Sequence, residues 1–366
     1  MSGKQVLRGW FGLFALATLM VAMSWAQEKP IGKPRFIVRS GNAAYADAAV
    51  TAASTTVRHW SSTFTSKGKK YSYSMVGTNP FTNPGSSSTV NTELQPITFK
   101  FANGVTISAT AAATAIANSP IFVNTKFPNG TGQYGDMFQR ANFAQPIGGR
   151  AYHVRLGLPS VRPAIVVNVP KASGQTQKTT SGVTYGLVNL NFITSTISGL
   201  VKSGNYNPAT LPVFVAGNVF EYQQMVAICC VLGYHEALSA NSGSINTFIF
   251  TSYPSPGIFG GGFADVAVLS HEVAEWIDDP FGTNFVEPWG MPQAPQTCFS
   301  NVLEVGDAIE GYSNAAFTVS LNGKTYHVQD EAFFSWFARQ SPSIGLGGRY
   351  SWHAPAKLTK PAASCS

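Results

Sequence analysis

His271, Glu272 and Glu275 share one turn of the segment Val266-Ala-Val-Leu-Ser-His-Glu-Val-Ala-Glu-Trp-Ile-Asp-Asp-Pro280, whose apolar and acidic residues separate at helical spacing. At about 100° per residue, Val266, Leu269, Val273, Trp276 and Ile277 fall on one side, and His271, Glu275 and Asp278 fall on the other. An imidazole and a carboxylate four residues apart reach one point in space, with Glu272 one step around the helix. This is the layout of a His-Glu-x-x-His zinc helix with a carboxylate in place of the second imidazole. The chemistry it suggests is a divalent metal, zinc first, held by His271 and Glu275, with Glu272 taking a proton from the metal's water.

The same short pattern also occurs on solvated helices that bind nothing. Here the scarcity of charge argues otherwise. Only 11% of the 366 residues are Asp, Glu, Lys or Arg, yet positions 271–279 hold four acids and a histidine with no Lys or Arg. Carboxylates crowded in this way repel one another unless a cation or water relieves them. A catalytic zinc site takes three protein donors and leaves a position open. The later stretch Asn301-Val-Leu-Glu-Val-Gly-Asp307 supplies the third, and Glu304 is the choice, because its side chain is longer and it lies in a strand-like run. Asp307, after Gly306, suits loop amides or the orientation of His271. Asp278 is on the same helix, and three donors there would spread over ~10 Å of axis.

The elements that must position these groups can be read along the chain. Residues 1–26 carry Lys4 and Arg8, an apolar run from Trp10 to Met23, and Ser24-Trp25-Ala26, the pattern of a secretory signal peptide. The apolar run is shorter than the ~20 residues a membrane span needs, so the expectation is a secreted chain without stable membrane insertion. Residues 27–57 form a polar leader. Residues 58–180 read as a β-rich N-terminal region, with strands at Lys70–Val76, Gln95–Phe101 and Ala164–Val169 and short helices at Ala109–Ala117 and Tyr134–Phe143. Ala172–Ser181 reads as a polar loop.

From residue 181 to 366, strands and helices alternate. Strands are expected at Val183–Asn191, Leu211–Phe220, Cys229–Tyr234 and Asn246–Ser252, helices at Phe192–Lys202 and at the ligand segment, and an aromatic-striped helix at Asp330–Ala338. Several strands followed by a long helix bearing the ligand pair is the order of a zincin-like fold. The fold class is therefore α/β in the wider α+β sense, a zincin-like metalloprotease-type domain behind the β-rich region.

Composition narrows the function. The formal charge is +7, or 7 − 2 = +5 without Lys4 and Arg8, and no basic cluster is longer than Lys67 to Lys70. Nucleic acid is thereby excluded as a partner, since it needs a basic stripe and a motif that are absent. No Gly-x-Ser-x-Gly elbow supports a serine nucleophile. His235, in Gly233-Tyr-His-Glu236, sits near a strand end, where it could line a cleft or serve structure alone. Cys229, Cys230, Cys298 and Cys365 are an even set in an exported chain. Neighbours on a strand point to opposite faces, so Cys229 and Cys230 are expected to pair separately, one with Cys298 and the other with Cys365.

His271-Glu-Val-Ala-Glu-Trp-Ile-Asp-Asp-Pro280, Leu303-Glu-Val-Gly-Asp307 and Cys230 with Gly233-Tyr-His235 resemble a group of secreted, largely uncharacterised bacterial proteins with a zincin-like His-Glu-x-x-Glu site, over most of the mature chain. The segment from Cys230 to Cys298, clearest at Asp279-Pro-Phe-Gly-Thr-Asn284, is more distantly similar to the plant exordium or phosphate-induced proteins. Those lack the His-Glu pair, so that similarity implies fold and secretion only. Glu275 in place of a second histidine departs from the zinc-peptidase pattern and makes a harder site, open to other divalent ions. The sequence thus points to a secreted, metal-dependent, peptidase-like hydrolase acting on a peptide or cell-surface polymer. The alternative is a non-catalytic cell-surface or wall-associated protein with a structural metal or none.

Overall fold

The structure is a computed structural model that describes residues 31, 34–37, 56–240, 243–260, 262–353 and 358–365. The expected signal peptide, and most of the leader, lie outside the described residues. The first described strand is β1 (Arg35–Phe36), followed by the hairpin β2 (His59–Ser66) and β3 (Lys69–Val76). Then come the long β4 (Ser87–Phe101), α1 (Thr110–Ala117), α2 (Tyr134–Asn142), β5 (Ile165–Val169), β6 (Gly174–Lys178) and β7 (Thr184–Asn189). Next are α3 (Leu190–Lys202), β8 (Thr210–Gly217), β9 (Val219–Tyr222), β10 (Cys229–Ser239), β11 (Ile245–Tyr253) and α4 (Ala267–Asp278). The chain continues through β12 (Phe285–Trp289), β13 (Ser300–Val302), α5 (Asp307–Glu310), β14 (Ala316–Leu321), β15 (Lys324–Gln329) and α6 (Phe334–Phe337).

This is a mixed α+β protein built on one strand-rich sheet with few helices. The sheet runs β5-β4-β8-β11-β10-β9-β7-β6, with β1 added in parallel beside β10. Its centre is parallel, from β4 through β8 to β11, and turns antiparallel at β10. Because β4 pairs with β8, residues on either side of position 180 share one sheet. Both faces of the central strands are covered, which is why Thr210-Leu-Pro-Val-Phe-Val-Ala-Gly217 reads as a nearly continuous apolar run. Phe214, Phe248 and Phe250 point into the core under α3, with Ile193 and Ile197. Val213, Val215 and Ile249, one residue out of phase, point to the other face and share a core with Leu269, Val273 and Trp276 of α4.

All twelve residues of α4 are buried. The apolar side faces the sheet, where Trp276 Nε1 donates to Thr247 Oγ1 at 2.9 Å. The polar side is covered as well, because α4 also packs against β15, β3 and α2. Before the helix, Asp265 Oδ1 accepts from the Val266 N–H at 2.6 Å. After it, Pro280 cannot continue the helical ladder, and the Asp279 carboxylate accepts from the backbone N–H groups of Thr283 and Asn284.

Several local expectations are corrected. The stretch read as a polar loop contains β6, an edge strand whose outer side tolerates polar residues. The expected Leu211–Phe220 strand is two, broken where Asn218 takes a left-handed φ of 48°. The Asp330–Ala338 helix is only Phe334–Phe337, because the Asp330 carboxylate binds the Glu331 and His353 N–H groups and Phe333 is extended. The cysteine pairing is also different: Cys229 bonds Cys230, and Cys298 bonds Cys365. Alternation along a strand assigns faces to side chains and does not settle which sulfur each cysteine meets. Among the described residues no helix is long and apolar enough to cross a membrane.

Candidate metal centre

The carboxylates of α4 meet three other parts of the chain. The segment 303–307 crosses the helix at His271 and Glu275, where Glu275 Oε1 accepts from the backbone N–H groups of Gly306 at 3.0 Å and Asp307 at 3.2 Å. A side chain at Gly306 would collide with the His271 ring, so glycine is what lets this segment lie on the imidazole. Gln329 secures it from β15, its Nε2 donating to the Gly306 carbonyl at 2.9 Å. From the sheet, β10 brings His235 to the same point. Its neighbour Gly233 has the same purpose as Gly306, since a Cβ there would sit 2.6 Å from Glu272 Oε1.

The donor atoms converge closely. His271 Nε2 lies 3.1 Å from Glu275 Oε2 and 3.7 Å from Asp307 Oδ1. His235 Nδ1 lies 3.5 Å from Glu272 Oε2 and 3.7 Å from Glu275 Oε2. Two groups result, His271 with Glu275 and Asp307, and His235 with Glu272 and Glu275, each with its donor atoms within 4.8 Å of one another. Glu304 stands against the Glu275 carboxyl. The structure therefore brings His271, Glu272, Glu275 and Glu304 into one neighbourhood, and it adds Asp307 and His235. His235 is 36 positions from His271 along the chain, and only the register of β10 against the helix reveals it.

The electrostatics are those of a buried anionic cluster. His271, Glu272, Glu275, Glu304 and Asp307 are each at most 3% exposed. Among the described residues, no Lys or Arg forms an ion pair with any of them. Burial alone would lower the two histidines, but the surrounding carboxylates outweigh it and raise both, His271 strongly through Glu275. Burial pushes Glu304 and Asp307 well above the usual carboxylate range, and the Glu275 charge adds to it. Burial also raises Glu272. Glu275 is the exception, since its contacts with His271 overcome burial and hold it low. Asp278 has a different task. Gln139 donates to its Oδ1 and Asn142 to its Oδ2, which anchors α2 on α4, and burial pushes it up to about 7.

A cover lies over the centre. The ring of Phe36, from the short strand β1, stacks on His271 with centroids 3.6 Å apart and planes 13° from parallel. Two larger cavities, of about 500 and about 630 Å³, open elsewhere, one beside β3 and Asn284 and the other beside β2 and Asn91. Neither is lined by a donor of the cluster. Comparison with family models, curated proteins and solved structures found no match to this chain.

Proposed function

We propose that this chain is a secreted metal-dependent hydrolase of zincin-like architecture that acts on amides of a peptide or cell-surface polymer. Its centre would take a divalent ion, zinc first, between α4 and segment 303–307. The observation that supports this reading is a set of buried donor atoms without hydrogen-bond partners: both nitrogens of His271, both oxygens of Glu272, Glu304 Oε1 and Asp307 Oδ1. Each unpaired buried polar atom costs ~1–3 kcal/mol, and more if charged. A bound cation would offset that cost at each donor atom it touches. The donor types fit, since an imidazole with two carboxylates suits zinc and harder ions such as manganese.

On this reading His271, Glu275 and Asp307 hold the ion, with Glu304 as a further donor at the Glu275 carboxyl. A divalent ion in such a site acidifies water and polarises a carbonyl. Glu272, with neither oxygen engaged in a hydrogen bond, is the group that accepts the proton, and burial raises its affinity for one. The backbone N–H groups of Gly306 and Asp307 fix Glu275 in place. Phe36 has to move aside before a polymer can reach His271.

A second reading, a structural metal in a non-catalytic wall-associated protein, draws on that same cover and on the burial of the cluster. The two separate by experiment. Full-length protein loaded with Zn²⁺ is expected to retain the ion through gel filtration and to cleave a mixed peptide library, with both properties lost in Glu275→Gln. Retained ion without cleavage, in the parent and in Phe36→Ala alike, would favour the structural reading. No retained ion in the parent would remove both.

A further inference from the structure

The two oxygens of Glu275 have different tasks. Oε1 is engaged by the Gly306 and Asp307 N–H groups. Oε2 is approached by two imidazoles from different elements, His271 Nε2 from α4 at 3.1 Å and His235 Nδ1 from β10 at 3.7 Å. One oxygen between two histidines, each with its own second carboxylate, is more than a single ion requires. Asp307 Oδ1 lies 3.7 Å from the first imidazole, and Glu272 Oε2 lies 3.5 Å from the second.

These spacings decide between two kinds of contact. Charge-assisted hydrogen bonds between nitrogen and carboxylate are ~2.7–2.9 Å long. Donors placed ~2.0–2.2 Å from a common tetrahedral ion lie about 3.3–3.6 Å from one another. Three of the observed separations, 3.5 to 3.7 Å, are too long for the first and fall around the second, while the fourth, His271 Nε2 to Glu275 Oε2 at 3.1 Å, is within hydrogen-bond reach. Independently, both oxygens of Glu272 are without hydrogen-bond partners although the residue is only 1% exposed.

We propose that the centre holds two divalent cations, the second bound by His235, Glu272 and Glu275, with Glu275 Oε2 bridging it to the ion at His271. The inference rests on the metal reading above and extends it. Charge supports the count. Glu272, Glu275, Glu304 and Asp307 bring four negative charges into a buried volume, and among the described residues no Lys or Arg pairs with them. One divalent ion would leave two of the four to be neutralised by protons, whereas two ions balance all four when each is ionised. Glu272 would then be a ligand of the second ion, beside His235 and Glu275.

The test counts ions on full-length protein. Purified chain is stripped, saturated with Zn²⁺ alone or Mn²⁺ alone, desalted and analysed for metal per chain, with circular dichroism to confirm folding. Two ions per chain are expected in the parent, falling to one in His235→Gln and in Glu272→Gln. If those variants do not fold, the Mn²⁺ form of the parent decides, because two ions sharing an oxygen give an exchange-coupled electron paramagnetic resonance spectrum and an isolated ion does not. A parent that binds one ion, uncoupled, overturns the second site and leaves the single-ion hydrolase standing, with Glu272→Gln then keeping its ion and losing turnover. A parent that binds none overturns the proposed function as well.

Discussion

At Glu287 on β12 the carboxylate is surrounded by partners, and at the centre of α4 the carboxylates are surrounded by one another. Glu287 Oε1 meets Lys67 Nζ at 2.8 Å and Ser364 Oγ at 2.9 Å, while Oε2 meets Ser66 Oγ at 2.9 Å and Arg339 Nε at 3.5 Å. Burial works against its ionisation, but Lys67 and its other partners overcome that and hold it at about 2. The chain has 24 Lys and Arg residues against 17 acids, so it does not lack cations. Among the described residues, two of them pair with Glu287 near the surface and none is in an ion pair with Glu272, Glu275, Glu304 or Asp307. The lack of Lys or Arg partners at these acids is therefore local to the α4 site, and the metal reading proposed above draws on it.

The contrast implies that polar contacts hold Glu287 while apolar packing holds the α4 acids together against their repulsion. Leu269→Ala tests this with the largest expected effect. Leu269 is 1% exposed and sits in the core between helix and sheet, so metal-free protein should lose roughly 2–5 kcal/mol in denaturant unfolding. An unchanged midpoint would mean that the polar side anchors the helix.

Phe36 sharpens the comparison, because Glu287 lies near the solvent and the α4 centre lies under a lid. Burying a Phe side chain contributes roughly 1.5–3 kcal/mol, and 1.4 kcal/mol is a factor of ten. Phe36→Ala should therefore raise peptide turnover, or the rate of Zn²⁺ uptake, by about tenfold or more. Rates equal to those of the parent would show that β1 does not limit access.

The helix, the closeness of His271 to Glu275 and the sheet-facing residues were legible because periodicity is a local property. His271, Glu275, Leu269 and Trp276 declare their faces within two turns. The α+β class, the β3 strand and α1, α2 and α3 were legible for the same reason. What was not legible depends on pairing at a distance. His235 read as a residue that could line a cleft or serve structure alone until β10 was placed against α4, and Asp307 was ranked behind Glu304, as a group for loop amides or the orientation of His271, until the structure set its Oδ1 3.7 Å from His271 Nε2. The complete burial of α4 was also hidden, since an amphipathic pattern implies solvent on the polar side, and here that side is covered by segment 303–307, β10 and Phe36. The cysteines misled because alternation along a strand assigns faces and not partners.

The smallest expected effect lies at Glu287 and tests whether the contrast is electrostatic. Its folded pKa is lowered from 4.5 to about 2, so its contribution is fully present above about pH 4.5 and is lost as pH falls towards 2. Taken at face value the shift is worth several kcal/mol. Lys67, however, is 66% exposed, and solvent screening reduces such pairs to ~1 kcal/mol or less. Glu287→Gln keeps the size of the side chain and one acceptor oxygen for Ser66 or Ser364 while removing the charge. The parent should exceed this variant by about 1 kcal/mol at pH 7, by less in high salt, and by nothing near pH 2. If the difference stays constant from pH 7 to pH 2, then geometry rather than charge holds Lys67 and Arg339 to Glu287, and the missing counter-charges at the α4 centre lose the control against which they stand out.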